Sequence, residues 1–199
     1  MSRYIEQNLI DRSRRGDAEA FGEIYFALKD SIYGFAYRMT NAGSIAEEIT
    51  QEVFVFFIEN AEKYDADKGS LFSFLCAVAR NKVLNHLKKS GTKLETNNFE
   101  EVEIVDSSNG SGRSPLKNLL DKEFSAKVEE CVFRLSPFQR EVLLLREMEE
   151  LSYEEISQIT SLSIGVIKSR LYRARQTLVS ELSPYAKSEK VNIYEVHRS

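Results

Sequence analysis

The sequence predicts an all-α protein with two small helical domains joined by a flexible linker. Apolar residues recur at every third or fourth position over long stretches, and helix-capping residues precede several of them. No comparable stretch alternates with the period of a β-strand. Proline occurs only 3 times and glycine 9 times in 199 residues, which favours helices over turns. Two domains of about 70–90 residues each lie within the usual size range.

The first domain is predicted to span residues 1–90. Asp17 and Ser70 are candidate N-cap residues, because their side-chain oxygens can accept the unpaired N–H groups of a first helical turn. Ser44 and Glu47 have the spacing of a capping box. Apolar residues then recur at helical spacing in residues 21–39, 45–57 and 71–78.

A linker is predicted over residues 91–115, which are acidic, poor in apolar residues and rich in Ser, Gly and Asn. A short apolar interruption at residues 102–105 could dock on another surface, but the composition as a whole favours a loose connection. Residues 183–199 are predicted to form a C-terminal tail that frays by default, and the alternative is that it docks onto the body of the protein or onto a regulator.

The second domain is predicted to span residues 116–182 and to contain a helix-turn-helix. Capping-box spacing recurs at Ser136 with Gln139 and at Ser152 with Glu155. A helix that follows Ser152, a short break at residues 161–163 and a second helix match the lengths of that motif.

The second helix of this pair is basic, since no acid occurs from residue 156 to residue 180. Its cations are Lys168, Arg170, Arg173 and Arg175. A helix with one apolar stripe and an otherwise positive surface suits a DNA major groove, where phosphates attract cations and side chains read base edges. The alternative is a solvated basic face on a helix that only packs.

A second acid-free tract lies in the first domain, from residue 69 to residue 94. Cations and amides alternate in it: Arg80, Asn81, Lys82, Asn85, Lys88 and Lys89. Positive charge follows a nucleic-acid backbone, and exposed aromatic rings nearby could stack on unpaired bases. Most of the aromatic residues are expected to belong to the core instead.

Six successive apolar residues, 53–58, would surround a helix on every side, at about 100° per residue. Either this helix is central to the domain, or one of its faces is reserved for a partner. Glu47, Glu48, Gln51 and Glu52 lie just upstream of this run and could supply a polar rim for such a face.

Seven stretches of the sequence resemble the group IV, or extracytoplasmic-function, sigma factors of bacterial RNA polymerase. The matching stretches occur in the family's order and cover about three quarters of the chain. They are residues 17–21, 46–54, 64–72, 74–81, 135–142, 151–156 and 168–175.

The resemblance implies a role for each segment. The helix around Glu48, Gln51, Glu52, Val55 and Phe56 would dock on the clamp helices of the polymerase β′ subunit. Residues from Lys68 through Lys89 would engage the −10 promoter element and help to open it. The −35 element would be contacted by the helix that begins at residue 163, with Lys168, Ser169, Arg170, Arg173 and Arg175 as its contacts. An anti-sigma factor is the expected regulatory partner, and the cytoplasm is the expected location.

Other functions have little support in the sequence. The sequence contains no glycine-rich phosphate loop, no metalloprotease motif and no nucleophile elbow. An enzyme is therefore not expected. Two histidines and two distant cysteines suggest neither a metal site nor a cofactor. No apolar run has membrane-spanning length, so membrane insertion is not expected.

The main alternative to a sigma factor is a stand-alone helix-turn-helix regulator whose first domain senses a ligand or oligomerises. The net charge of −4 argues weakly against nucleic acid. Because each domain is nearly neutral yet keeps one acid-free tract, we expect weak DNA binding by the protein alone. That expectation favours a polymerase subunit over an autonomous DNA-binding protein.

Overall fold

The computed structural model describes residues 5–91 and 122–189, with the side chains of 5–91 and 125–185. All regular elements within these residues are helical, so the predicted all-α class is confirmed. They form two compact units, one mainly from the helices before residue 92 and one mainly from those after residue 121. The predicted linker lies outside the described residues, apart from Gly91.

Four α-helices form the first unit. They are α1 (Gln7–Arg14), α2 (Ala18–Thr40), α3 (Gly43–Glu59) and α4 (Leu71–Lys89). Helix α2 packs against the other three, and α3 also packs against α4. Between α3 and α4 the chain makes two short 3₁₀ turns, Ala61–Lys63 and Ala66–Lys68.

The predicted caps of α2 and α4 are present. The carboxylate of Asp17 accepts the backbone N–H groups of Glu19 at 3.0 Å and Ala20 at 3.1 Å. The hydroxyl of Ser70 accepts the N–H of Ser73 at 3.1 Å. Each bond satisfies a donor that the first helical turn leaves open.

The predicted capping box at Ser44 is wrong. Helix α3 begins at Gly43, and its N-cap residue, Ala42, has no side chain that can accept a hydrogen bond. Asn41 ends α2 in the left-handed conformation, with φ of 55°. The next helix therefore follows after a single further residue, which puts Ser44 inside its first turn rather than before it.

The core of the first unit is built from the apolar stripes of α2, α3 and α4. Side chains from all three helices are almost completely buried: Ile24, Leu28, Ile32, Phe35, Val53, Phe57, Phe72, Leu75, Ala79 and Val83. Burial of this apolar surface is the dominant force that holds the helices together.

The helices after residue 121 are α5 (Lys122–Arg134), α6 (Pro137–Leu143), α7 (Tyr153–Thr160) and α8 (Ile164–Glu189). A π-helical turn, Leu144–Met148, follows α6 directly. Helix α8 packs against both α5 and α6. It extends past residue 182, so the predicted start of the tail falls within a helix.

Reciprocal capping fixes the start of α7, as the spacing of Ser152 and Glu155 predicts. The N–H of Ser152 donates to the Glu155 carboxylate at 2.9 Å, and the N–H of Glu155 donates to the Ser152 hydroxyl at 3.1 Å. This cap fixes the helix that leads into the turn at residues 161–163.

Arg140 closes the C-terminal end of α5. Its side chain is buried, and its guanidinium donates to the carbonyl oxygens of Val132 and Leu135, both at 3.1 Å, and of Phe133. Burial lowers the pKa of this guanidinium. Carbonyls at a helix end lack partners within the helix, so Arg140 supplies what α5 itself cannot.

Pro184 lies inside α8 without ending it. Proline has no N–H to donate to the carbonyl four residues earlier, here that of Ser180. The hydroxyl of Ser183 donates to that carbonyl at 3.1 Å instead. None of the described helices is long and apolar enough to cross a membrane.

Candidate nucleic-acid and protein interfaces

The apolar run of α3 is divided between the core and the surface. Val53, Phe54 and Phe57 are buried, whereas Val55 is 52% exposed and Ile58 is 61% exposed. Helix α3 is therefore not buried on all sides, because one of its faces is uncovered within the described residues.

Acidic and amide side chains continue that uncovered face toward the start of α3. Glu48, Gln51 and Glu52 are exposed at helical spacing from Val55. An apolar spot bordered by polar groups is typical of a protein-binding surface.

Phe56 differs from its neighbour Val55, because it is half-buried. Its ring centroid lies 6.4 Å from that of Phe74, and the Lys63 ammonium lies 5.5 Å from it. These contacts make Phe56 part of the packing between α3 and α4. It offers less surface to a partner than Val55 does.

The basic tract of the first unit follows one accessible side of α4. Asn81, Asn85, Lys88 and Lys89 are exposed, at a spacing that keeps them on one face. Arg80 and Lys82 are half-buried. Most of the groups predicted from sequence are therefore brought together on one helix.

Two of the cations predicted to contact the −10 element are paired with acids. The Nζ of Lys82 lies 2.7 Å from the Oε2 of Glu52 on α3. Lys68 lies in the turn before α4, with its Nζ 3.1 Å from the Oδ2 of Asp65. Its hydrogen bond is the main cause that lowers the pKa of the Asp65 carboxyl.

Helices α7 and α8 form a helix-turn-helix. Helix α7 ends at Thr160, Ser161 takes the left-handed conformation with φ of 58°, and α8 begins at Ile164. A left-handed residue after a helix is a common way to stop it and redirect the chain. The hydroxyl of Ser163 accepts the N–H of Val166 at 3.4 Å, at the start of α8.

The cations of α8 make contacts within the second unit. The Lys168 ammonium lies 5.2 Å from the centre of the Tyr153 ring. Arg175 forms an ion pair at 2.7 Å with Glu147 of the π-helical turn. Lys168, Arg173 and Arg175 are all partly accessible.

Ser169 and Arg170 are placed differently from the sequence-based expectation that they contact DNA. Ser169 is 2% exposed and Arg170 is 7% exposed. Arg170 lies at i+3 from the buried Ile167, on the stripe of α8 that packs inward, and its guanidinium lies 4.8 Å from the Phe138 ring of α6. Because α8 packs on both α5 and α6, it buries more than one narrow stripe, which leaves these two side chains little access to a base or phosphate.

Tyr172 was not among the residues predicted from sequence. It is 51% exposed, one turn along α8 from Lys168. Its position at i+4 from Lys168 and between Arg170 and Arg173 could have indicated it, because an accessible aromatic ring among cations can contact bases or thymine methyl groups.

Comparison with known proteins agrees with this division into units. The sigma-70 region 2 family model matches residues 24–92, and the sigma-70 region 4 model matches residues 125–178. The stand-alone regulator is not favoured, because region 2 occupies the unit that this hypothesis reserved for sensing or oligomerisation.

Two curated relatives extend the match over most of the chain. The ECF RNA polymerase sigma factor BldN of Streptomyces coelicolor is 31% identical over 170 residues, which cover 85% of this chain and 63% of BldN. The RNA polymerase sigma-H factor of Pseudomonas aeruginosa is 28% identical over 183 residues, which cover 90% of this chain and 94% of that factor.

A solved structure shares the fold. It is the sigma factor RpoE from Bartonella quintana, crystallised with the anti-sigma factor NepR, with a TM-score of 0.63 and 24% identity. The match covers 83% of this chain and 98% of RpoE. With regions 2 and 4 both matched in their proper order and relatives that span nearly the whole chain, this protein belongs to the extracytoplasmic-function, or group IV, sigma factors of bacterial RNA polymerase.

Proposed function

We propose that the two units divide promoter recognition between them. The first, residues 1–90, binds core polymerase and the −10 element. The second, residues 116–182 with the continuation of α8, binds the −35 element. The observation that carries the proposal is the uncovered face of α3, where Val55 and Ile58 are exposed beside Glu48, Gln51 and Glu52.

Polymerase would bind through this face, on the clamp helices of its β′ subunit. Val55 supplies the apolar contact, and the carboxylates of Glu48 and Glu52 suit cationic partners. Phe56 supports the surface from below through its packing on Phe74.

The −10 element would be contacted from α4 and the turn before it. The proposed contacts are Lys68, Arg80, Asn81, Lys82, Asn85, Lys88 and Lys89. The accessible stripe of amides and ammonium groups supports this, because cations follow phosphates and amides can hydrogen-bond unpaired bases.

The −35 element would be contacted through α8. Its accessible cations Lys168, Arg173 and Arg175, with the exposed Tyr172, support contacts to phosphates and base edges. Ser169 and Arg170 are assigned to packing in this proposal, because both are buried.

The protein would act in the cytoplasm as a subunit without catalytic activity of its own. RpoE was crystallised with the anti-sigma factor NepR, and CnrH, a second solved structure with the same fold and a TM-score of 0.63, is in complex with the cytosolic domain of CnrY. We infer that this chain likewise has an anti-sigma partner.

In vitro transcription tests the proposal. The full chain and bacterial core polymerase are incubated with a library of randomised promoters, and the transcripts are sequenced. We expect transcription from a defined subset with two sequence blocks, one near −35 and one near −10. Tight binding of the free protein to duplex DNA, with no binding to core polymerase, would contradict the proposal.

A further inference from the structure

The segment that joins α3 to α4, residues 60–70, connects the proposed polymerase face to the proposed −10 tract. It carries Lys68, the first cation of that tract, and consists of two single 3₁₀ turns. Short 3₁₀ turns satisfy few of their own backbone groups. The position of this segment therefore depends on side chains that reach it from other elements.

Arg14, the last residue of α1, contacts this segment directly. Its Nε donates to the carbonyl oxygen of Ala61 at 3.1 Å, and its Nη2 donates to the carbonyl oxygen of Tyr64. Its Cζ lies 5.4 Å from the centre of the Tyr64 ring. One guanidinium thus holds two carbonyls, three residues apart, and also contacts an aromatic ring.

The contacts of Tyr64 extend this arrangement to α4. The Tyr64 ring centroid lies 5.7 Å from that of Phe74, in the first turn of α4. Asp65 follows directly, and its carboxylate accepts the N–H of Asp67 at 3.1 Å and pairs with Lys68. A shift of the backbone at residues 61–64 would therefore move Lys68 and the start of α4.

We propose that Arg14 is a positioning residue for promoter opening, because it fixes the segment from which Lys68 and α4 meet the DNA. The proposal rests on the proposed function. This role requires arginine. The guanidinium donates to the two carbonyls from two different nitrogens held in one plane, whereas a lysine ammonium has only one nitrogen. Residues 5–16 would then contribute to promoter recognition, although the region 2 match begins at residue 24.

Three variants test this role: Arg14→Met, Arg14→Lys and the control Arg15→Met. Arg15 follows Arg14 directly and is exposed, so its replacement removes the same charge without removing either hydrogen bond of Arg14 to residues 61 and 64. Each variant is assayed with core polymerase on a promoter obtained from the library. Two templates are compared, the normal duplex and the same promoter with a non-complementary −10 segment that is already open.

We expect Arg14→Met to form open complexes on the duplex about tenfold less well, as the loss of charge-assisted hydrogen bonds would cause. Open complexes are measured by permanganate reactivity of unpaired thymines. The deficit should be clearly smaller on the pre-opened template, because the contacts that Arg14 positions no longer have to drive strand separation there. Arg14→Lys should show the same pattern to a smaller degree, and Arg15→Met should match the wild type on both templates.

An equal loss on both templates would overturn the proposal, since Arg14 would then act on stability or on polymerase binding. Normal opening of the duplex by Arg14→Lys and Arg14→Met would overturn it as well. If Arg14→Met fails to fold by circular dichroism, Arg14→Lys alone decides between these outcomes. A wild-type protein that transcribes no library member would contradict the proposed function instead.

Discussion

Lys82 on α4 and Glu52 on α3 form an ion pair of 2.7 Å that joins the proposed −10 tract to the proposed polymerase face. Both side chains are partly accessible, so either group can exchange its partner. A DNA phosphate competes with Glu52 for the ammonium, and a cationic group of polymerase competes with Lys82 for the carboxylate. We therefore expect polymerase binding to release Lys82 for DNA.

Glu52→Gln tests this coupling in the free protein. The variant should bind a single-stranded oligonucleotide with the −10 sequence more tightly than the wild type, because Lys82 is no longer paired. The slope of log affinity against log salt should steepen by about 0.7, the value for one additional phosphate contact on a single strand. Fluorescence anisotropy over a salt series measures both quantities.

Glu48→Gln is the matched control, since Glu48 is exposed on the same face of α3. Both variants should bind core polymerase more weakly, but Glu48→Gln should leave the salt dependence of oligonucleotide binding unchanged. The same steepening in both variants would show that general charge, rather than the ion pair, is responsible.

Val55→Glu should weaken core polymerase binding at least tenfold while unfolding free energy stays within about 0.5 kcal/mol of the wild type, because Val55 is largely exposed. Val53→Ala, on the buried face of the same helix, should cost about 2 kcal/mol of stability. Polymerase pull-down and urea unfolding separate the two effects. Loss of helicity in Val55→Glu would show that this residue belongs to the core.

Lys168→Ala should affect DNA binding, whereas Arg170→Ala should affect stability. Lys168→Ala should leave stability nearly unchanged and reduce the salt slope of duplex −35 binding, measured with the holoenzyme, by about 0.9. Arg170→Ala should destabilise the second unit by about 2 kcal/mol, because a buried side chain and its contact with Phe138 are lost. A stable Arg170→Ala with a reduced salt slope would restore Arg170 as a DNA contact.

Asp17 should make the stability of the first unit dependent on acid pH. Hydrogen bonds from the backbone N–H of Ala20 and from Arg12 lower the pKa of its carboxyl in the folded state. Its stabilising contribution is therefore present above the ordinary Asp pKa and is lost as the pH falls through the folded value, below about pH 4.

Asp17→Asn keeps a capping oxygen but cannot ionise. Its melting temperature should lie below that of the wild type from about pH 7 to 5, and the gap should close toward pH 2–3. A gap that stays constant over this range would show that the charge of Asp17 contributes nothing.

The two cysteines should be unreactive in the native protein. Cys76 and Cys131 are both fully buried, and burial raises the pKa of the Cys131 thiol. A thiol reagent at about pH 8 should modify both only after addition of denaturant. Rapid modification of the native protein would instead favour a redox role.

Much of the fold follows from local signals in the sequence. The caps at Asp17, Ser70 and Ser152 are formed as the residue types predict, since each bond lies within a few residues. The capping box predicted at Ser44 was wrong because the backbone conformation at Asn41 and Ala42, rather than the Ser44 side chain, sets the start of α3.

The interfaces were less predictable, because they depend on packing between distant residues. The charge of Arg170 indicated a DNA contact. Its side chain is buried instead, because it lies three residues from Ile167 on the inward-facing stripe of α8. The pairing of Lys82 with Glu52, 30 residues away, has no local signature. The hydrogen bonds of Arg14 to Ala61 and Tyr64 have no local signature either, because only the three-dimensional structure brings these groups together.

Helix α8 has 26 residues and is therefore about 39 Å long. Near its far end, Glu181 pairs with Arg134 at 2.9 Å, and Lys127 lies 5.0 Å from the Tyr185 ring, so α5 anchors this end. The residues proposed to contact the −35 element, Lys168 to Arg175, thus lie in the first half of α8, and the anchor lies in its second half. If the proposed function holds, promoter preference could be changed by replacing only the accessible Lys168, Tyr172 and Arg173, because Ile167, Arg170 and Leu171 on the same stretch are buried. Loosening the anchor would change the angle of α8 without changing the identity of any side chain proposed to contact DNA.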